Sequence, residues 1–92
     1  MTQSARLEFQ STAFPIEPGE DERTNPGIYG KNLAQWLASK LRERSVTADD
    51  PIPEDFGWCI PVASSPHQLY VACANADDVK DGWRVYVFAE GG

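Results

Sequence analysis

The sequence predicts an α+β domain in the order β-α-β-β-β, with one amphipathic helix packed on a mainly antiparallel four-stranded sheet. Three patterns carry that reading. Apolar and polar residues alternate with a period of two from Arg6 to Phe14. A single stripe of helical period runs through Asn25 to Arg44. Three further alternating runs follow Phe56, separated by turn residues. Periods of two and of 3.6 are the signatures of a half-buried strand and of an amphipathic helix.

Residues 1–5 read as a frayed terminus. The first strand places Leu7, Phe9, Ser11 and Ala13 on one side and Glu8, Gln10 and Thr12 on the other. Pro15 and Pro18-Gly19 end it, and a polar loop with Glu17, Glu20, Asp21 and Glu22 follows. Asn25 suits an N-cap and Pro26 the first helical position, where its missing N–H costs nothing. Tyr29, Leu33, Trp36, Leu37 and Leu41 form the apolar stripe, with Lys40, Arg42 and Arg44 at the C-terminal end, where they complement the helix dipole. Gly27 and Gly30 each weaken a helical first turn by about 1 kcal/mol. They point to a close approach there of backbone or ligand.

The connection SVTADDPIPED cannot be helical across Pro51 and Pro53. A strand from Phe56 to Val62 should then put Trp58, Ile60 and Val62 on one face, with Pro61 marking an edge or an early end to its ladder. A turn over Ala63 to His67 leads to the Leu69–Ala74 run. NADDVKDG turns again, and WRVYVFAE closes the sheet. Tyr70, Tyr86 and Phe88 fall on the faces opposite Leu69, Val71, Val85 and Val87. One helix covers one face of a sheet, so this aromatic face is either partly exposed or paired with a second subunit.

Ninety-two residues make a single domain, residues 1–92, and a hydrophobic fraction of 41% is that of a chain with a core. A formal net charge of −6 argues against nucleic acid or anionic lipid as a direct partner and favours a protein partner of basic character. The first residues hold no apolar run of signal length, and no stretch approaches a membrane span. Two cysteines, Cys59 and Cys73, are too few for a disulfide scaffold, which places the chain in a reducing cytoplasm.

Catalysis finds little footing in the pattern. A hairpin centred near Pro66 could set Cys59 opposite Cys73 as two small core residues, as a cross-strand disulfide, or as a nucleophile served by His67. One histidine and two cysteines without paired spacing do not make a zinc site. Asp77, Asp78 and Asp81 lack the alternation of an EF-hand loop. The glycines form no phosphate cradle. No cofactor or metal is expected.

The acids are concentrated in three loops, residues 17–22, 49–55 and 77–81. They read either as solvated loops or as an acidic rim presented to a basic protein. In size, charge and α+β outline the chain is similar to immunity proteins and phage-encoded inhibitors, which would make it a blocker of a nucleic-acid-binding partner. The cluster PEDFGW reads either as a structural turn, with Gly57 supplying an unusual φ, or as a binding lip. The resulting candidate contact residues are Glu20, Asp21, Glu54, Asp55, Phe56, Trp58, Tyr70 and Tyr86. They would serve a non-catalytic interaction module, either a monomer or a homodimer through its exposed sheet face.

Two further resemblances attach to particular residues. The closing Glu90-Gly91-Gly92 resembles the tail of ubiquitin-like sulfur carriers, which would imply activation of the last glycine as an acyl-adenylate. That family has a hairpin before its helix, where only one strand is legible here. NPGIYGKNLAQWLASKLRER, PIPEDFGW and the final AEGG together look like a set of small uncharacterised bacterial proteins, which implies a bacterial or phage origin and transfers no catalytic residue.

Overall fold

The computed structural model describes residues 2–63, 68–76 and 79–90. One helix packs on a five-stranded, wholly antiparallel sheet of order β1-β5-β4-β3-β2. The strands are β1 (Thr2–Gln10), β2 (Ile52–Glu54), β3 (Gly57–Val62), β4 (Gln68–Asn75) and β5 (Gly82–Glu90), and the helix α1 spans Lys31–Glu43. A 3-10 turn, Glu20–Glu22, lies between β1 and α1. The order is therefore β-α-β-β-β-β.

The additional strand is β2, inside the stretch expected to be a plain connection. Pro51 and Pro53 forbid helix but not an edge strand, since the missing N–H can face solvent. Ile52 pairs with Cys59 and Glu54 with Gly57, and the intervening Asp55-Phe56 makes a two-residue hairpin turn. The chain leading into β2 already runs along β3, through Asp49 N–H to Pro61 carbonyl at 2.9 Å and Ala63 N–H to Thr47 carbonyl at 2.9 Å. Pro61 thus lies in a strand flanked on both sides, not at an edge, and contributes its carbonyl to the outer ladder.

The first strand is displaced toward the N-terminus. It starts at Thr2, opposite Ala89, and ends at Gln10, opposite Gly82. Phe14 falls beyond it, and its ring joins Phe9 at 6.5 Å, Trp36 at 5.5 Å and Trp83 at 6.2 Å.

The helix begins six residues after the expected N-cap. Asn25-Pro26-Gly27-Ile28 is a β-turn closed by Ile28 N–H to Asn25 carbonyl at 2.9 Å, with Gly27 at φ 84°. Proline at the second position and a left-handed glycine at the third make this a type II turn. The Pro-Gly pair therefore serves a turn, although the proline alone also suits a helix start. Helical bonding begins with Ala34 N–H to Gly30 carbonyl at 2.9 Å. At the other end Val46 N–H reaches Leu41 carbonyl and Ser45 N–H reaches Arg42 carbonyl, with Ser45 left-handed at φ 66°. This is the Schellman arrangement, with a serine where glycine is usual.

The face that α1 buries is Leu33, Ala34 and Ala38, flanked by Leu37 and Leu41. Trp36 is at the margin, 49% exposed, against Phe14 and under the Lys40 ammonium. The two alanines at the centre let the helix settle closely on Trp58, Ile60, Cys73 and Trp83, the sheet side of the core.

Candidate interaction surface

Among the described residues no helix lies over the opposite face of the sheet. Strand register places Cys59, Ala72 and Tyr86 in one row across β3, β4 and β5, and Pro61, Tyr70 and Phe88 in the next. Period-two geometry makes these side chains share a face. Tyr70 stacks on Phe88 at 5.2 Å with an interplanar angle of 20°, and Tyr86 lies 6.1 Å from Phe88. Phe88 is the buried hub of this cluster, while Tyr70 and Tyr86 are half-buried.

Phe56 completes the group from outside the sheet. It sits in the β2–β3 turn, 40% exposed, with its ring 5.9 Å from Phe88 and 6.4 Å from Tyr86. The turn can fold over the face because Gly57 takes φ 152°, where any Cβ would lie 2.6 Å from the Cys73 carbonyl oxygen. The structural-turn reading of PEDFGW holds. Gly57 is structural, and Asp55 and Phe56 project from the tip.

The eight candidate residues divide. Glu54, Asp55, Phe56, Tyr70 and Tyr86 lie on or beside the open face. Trp58 does not: it points to the helix side, is 3% exposed, and carries the guanidinium of Arg23 and the ammonium of Lys31 over its ring at 5.7 and 5.9 Å. Its indole N–H finds no partner among the described residues.

Glu20 is also not a rim residue. It is 5% exposed, and its Oε1 accepts from Gly30 N–H at 2.9 Å and Lys31 N–H at 3.1 Å, while Oε2 accepts from Glu17 N–H at 2.8 Å. It supplies the helix cap that Gly30 lacks. Asp21 is half-buried and accepts from Gly27 N–H at 2.9 Å. Glu17 pairs with Lys31 at 3.1 Å. Three of the four acids in the first loop thus hold that loop against the helix start, a use that composition cannot separate from solvation. The signal that could have found it is local: four N-terminal helix amides with no Ser, Thr or Asp next to them need an acceptor from elsewhere.

The Asn25 and Asp55 turns meet at one end of the sheet, whereas Asp50 lies by the far end of the helix, paired with Arg42 at 3.0 Å. The Asn25 side-chain amide donates to Asp55 carbonyl at 2.9 Å. Asn75, at the end of β4, exchanges two bonds with Tyr29, and its side chain also donates to Gly27 carbonyl. Of the third acidic loop, Asp77 and Asp78 lie outside the described residues, as do the turn residue His67 and the tail Gly91-Gly92. Asp81 is exposed.

Neither thiol is arranged for nucleophilic work. Trp58 pairs with Cys73 and Cys59 with Ala72, so the two cysteines are one residue out of register and point to opposite faces. Both are free and buried, so the reading as two small core residues on adjacent strands holds, while they do not face one another and the alternative disulfide is not formed. Burial pushes each thiol up to about 12, with Glu54 adding to Cys59 and Cys59 to Cys73. Protonated thiols are poor nucleophiles. Alkylation of the native protein at pH 8 should therefore be slower than that of the urea-unfolded chain by at least tenfold, as read by mass spectrometry. The folded value exceeds the ordinary 9.0, so the folded chain holds these protons longer than the unfolded one. Stability should then be intact below pH 9 and fall as the pH climbs toward 12.

No group of three or more His, Cys, Asp or Glu able to hold a metal occurs among the described residues. No helix there is long and apolar enough to cross a membrane. Comparison of the chain with protein-family models, with curated proteins and with solved structures returned no match.

Proposed function

We propose that the protein is a non-catalytic interaction module whose open sheet face receives a polypeptide rich in lysine and arginine. The observation that supports this best is the ring cluster Phe56, Tyr70, Tyr86 and Phe88 beside the acidic turn Glu54-Asp55. Aromatic faces attract cationic side chains, most strongly guanidinium, and carboxylates at the rim supply the complementary charge. Aromatic residues and arginine also dominate the energetic centres of protein interfaces.

A peptide-display selection on the immobilised protein tests it. Selected peptides should be enriched in Arg and Lys. Phe56→Ala should weaken their binding by about 2 kcal/mol, some thirtyfold, with little change in stability because the ring is already part-exposed. Glu54→Gln with Asp55→Asn should weaken it most at low salt. Peptides without basic residues, or binding indifferent to Phe56, would end the proposal.

An inhibitor that mimics phosphate spacing with its acids is the second reading. It now rests on Glu54, Asp55 and Asp81, because the carboxylates of Glu20 and Asp21 already accept backbone hydrogen bonds. The sulfur-carrier reading loses support, since β1 alone precedes α1 and no hairpin stands there.

A further inference from the structure

We infer that β1 is the seam of a homodimer, in which a second copy of the chain adds its own β1 antiparallel across a two-fold axis at Leu7. The two edges of the sheet are finished differently. The β2 edge is three residues long and carries Pro53, with Pro51 just before it, both usual guards against edge pairing. The β1 edge is nine residues long, pairs among the described residues only with β5, and has no proline. It carries its one register shift between Gln3 and Ala5, outside the Arg6–Glu8 centre. Its ladder groups on the outer side are an open template.

The side chains say which partner fits. Arg6, Glu8 and Gln10 share the open face, while Leu7 and Phe9 share the helix face. An antiparallel copy centred on Leu7 sets Arg6 opposite Glu8 of the other chain, and Glu8 opposite its Arg6. Two opposite-charge cross-strand pairs result from one register. Moving the axis one residue either way sets arginine against arginine or glutamate against glutamate, so charge alone selects this alignment. Arg84 already holds Glu8 at 3.0 Å and keeps its carboxyl below the usual range, together with Arg6 at 3.1 Å. The seam would extend that pairing into a row of alternating charges. On the other face it covers Leu7, which is 60% exposed and, among the exposed large apolar residues, the one set within β1. The axis lies perpendicular to the sheet, so an isologous contact leaves both helices on one side and both aromatic faces on the other.

This inference does not depend on the proposed ligand. Sedimentation velocity between about 1 μM and 1 mM should show a shift from the 10.2 kDa chain to twice that mass. Arg6→Glu removes two attractive pairs and creates two repulsive ones, which should raise the dissociation constant about tenfold or more. Glu8→Arg should do the same, and an equimolar mixture of the two variants should associate more tightly than either alone. Leu7→Lys sets two ammonium groups at the axis and provides an independent disruption. A chain monomeric throughout the range would overturn the seam, as would a dimer indifferent to Arg6→Glu and Leu7→Lys. A dimer lost on Tyr70→Ser and Tyr86→Ser but kept in those two variants would place the contact on the aromatic face instead.

Discussion

Gly30→Ala should destabilise the fold by about 4 kcal/mol, a large share of the roughly 5–14 kcal/mol available to a chain of this length. The residue takes φ 148°, a region closed to L side chains, and a Cβ there would lie 2.5 Å from the Cys73 carbonyl oxygen. That oxygen belongs to β4, an inner strand held between β5 and β3, so strain and collision add. Gly27 provides the control. It is left-handed at φ 84°, but its Cβ would meet nothing within 4 Å, so Gly27→Ala should cost only about 1–2 kcal/mol. Urea melts of the two variants measure the difference. Equal midpoints would show that the close approach to Cys73 contributes nothing.

Glu20→Ala should cost about 3 kcal/mol and Glu20→Gln about half of that. Alanine strands the amides of Glu17, Gly30 and Lys31 in a buried site, and each unsatisfied donor is expensive. Glutamine keeps two acceptor lone pairs but turns an N–H₂ toward one of the donors. It also removes the negative charge that complements the helix dipole. Asp21→Asn should change stability by less than about 1 kcal/mol, since Asp21 accepts one bond in a more exposed place. Chemical denaturation of the three variants checks the ranking. If Glu20→Ala is no worse than Asp21→Asn, the buried carboxylate is not the helix cap.

These two residues also show what the sequence could and could not convey. The α+β class, the helix body and the three closing strands follow from periodicity, because burial of one face imposes it directly. The face shared by Tyr70, Tyr86 and Phe88 was legible for the same reason. The helix start was not. Asn25-Pro26 fits a cap and a turn equally in local terms, and the choice is made by Asn75 and Cys73, about fifty residues away. The fifth strand was hidden because three residues with a central proline carry no period. Glu20 and Trp58 were misplaced among the contact residues because charge and aromaticity do not report burial. Phe56 was legible by type, and its position over the open face was not, since that depends on the turn that Gly57 permits.

The order of the sheet has a kinetic side. Strands β2 to β5 are joined as successive hairpins, so each can pair as soon as its neighbour exists, across a short loop. Strand β1 has no such neighbour in sequence. Gln10 must find Gly82 across α1 and three intervening strands, the longest loop closure among the strand pairings of the sheet. Folding is therefore expected to end where the chain begins, with the hairpins assembling before β1 docks, and native-state hydrogen exchange should find the β1 amides opening before those of β3 and β4.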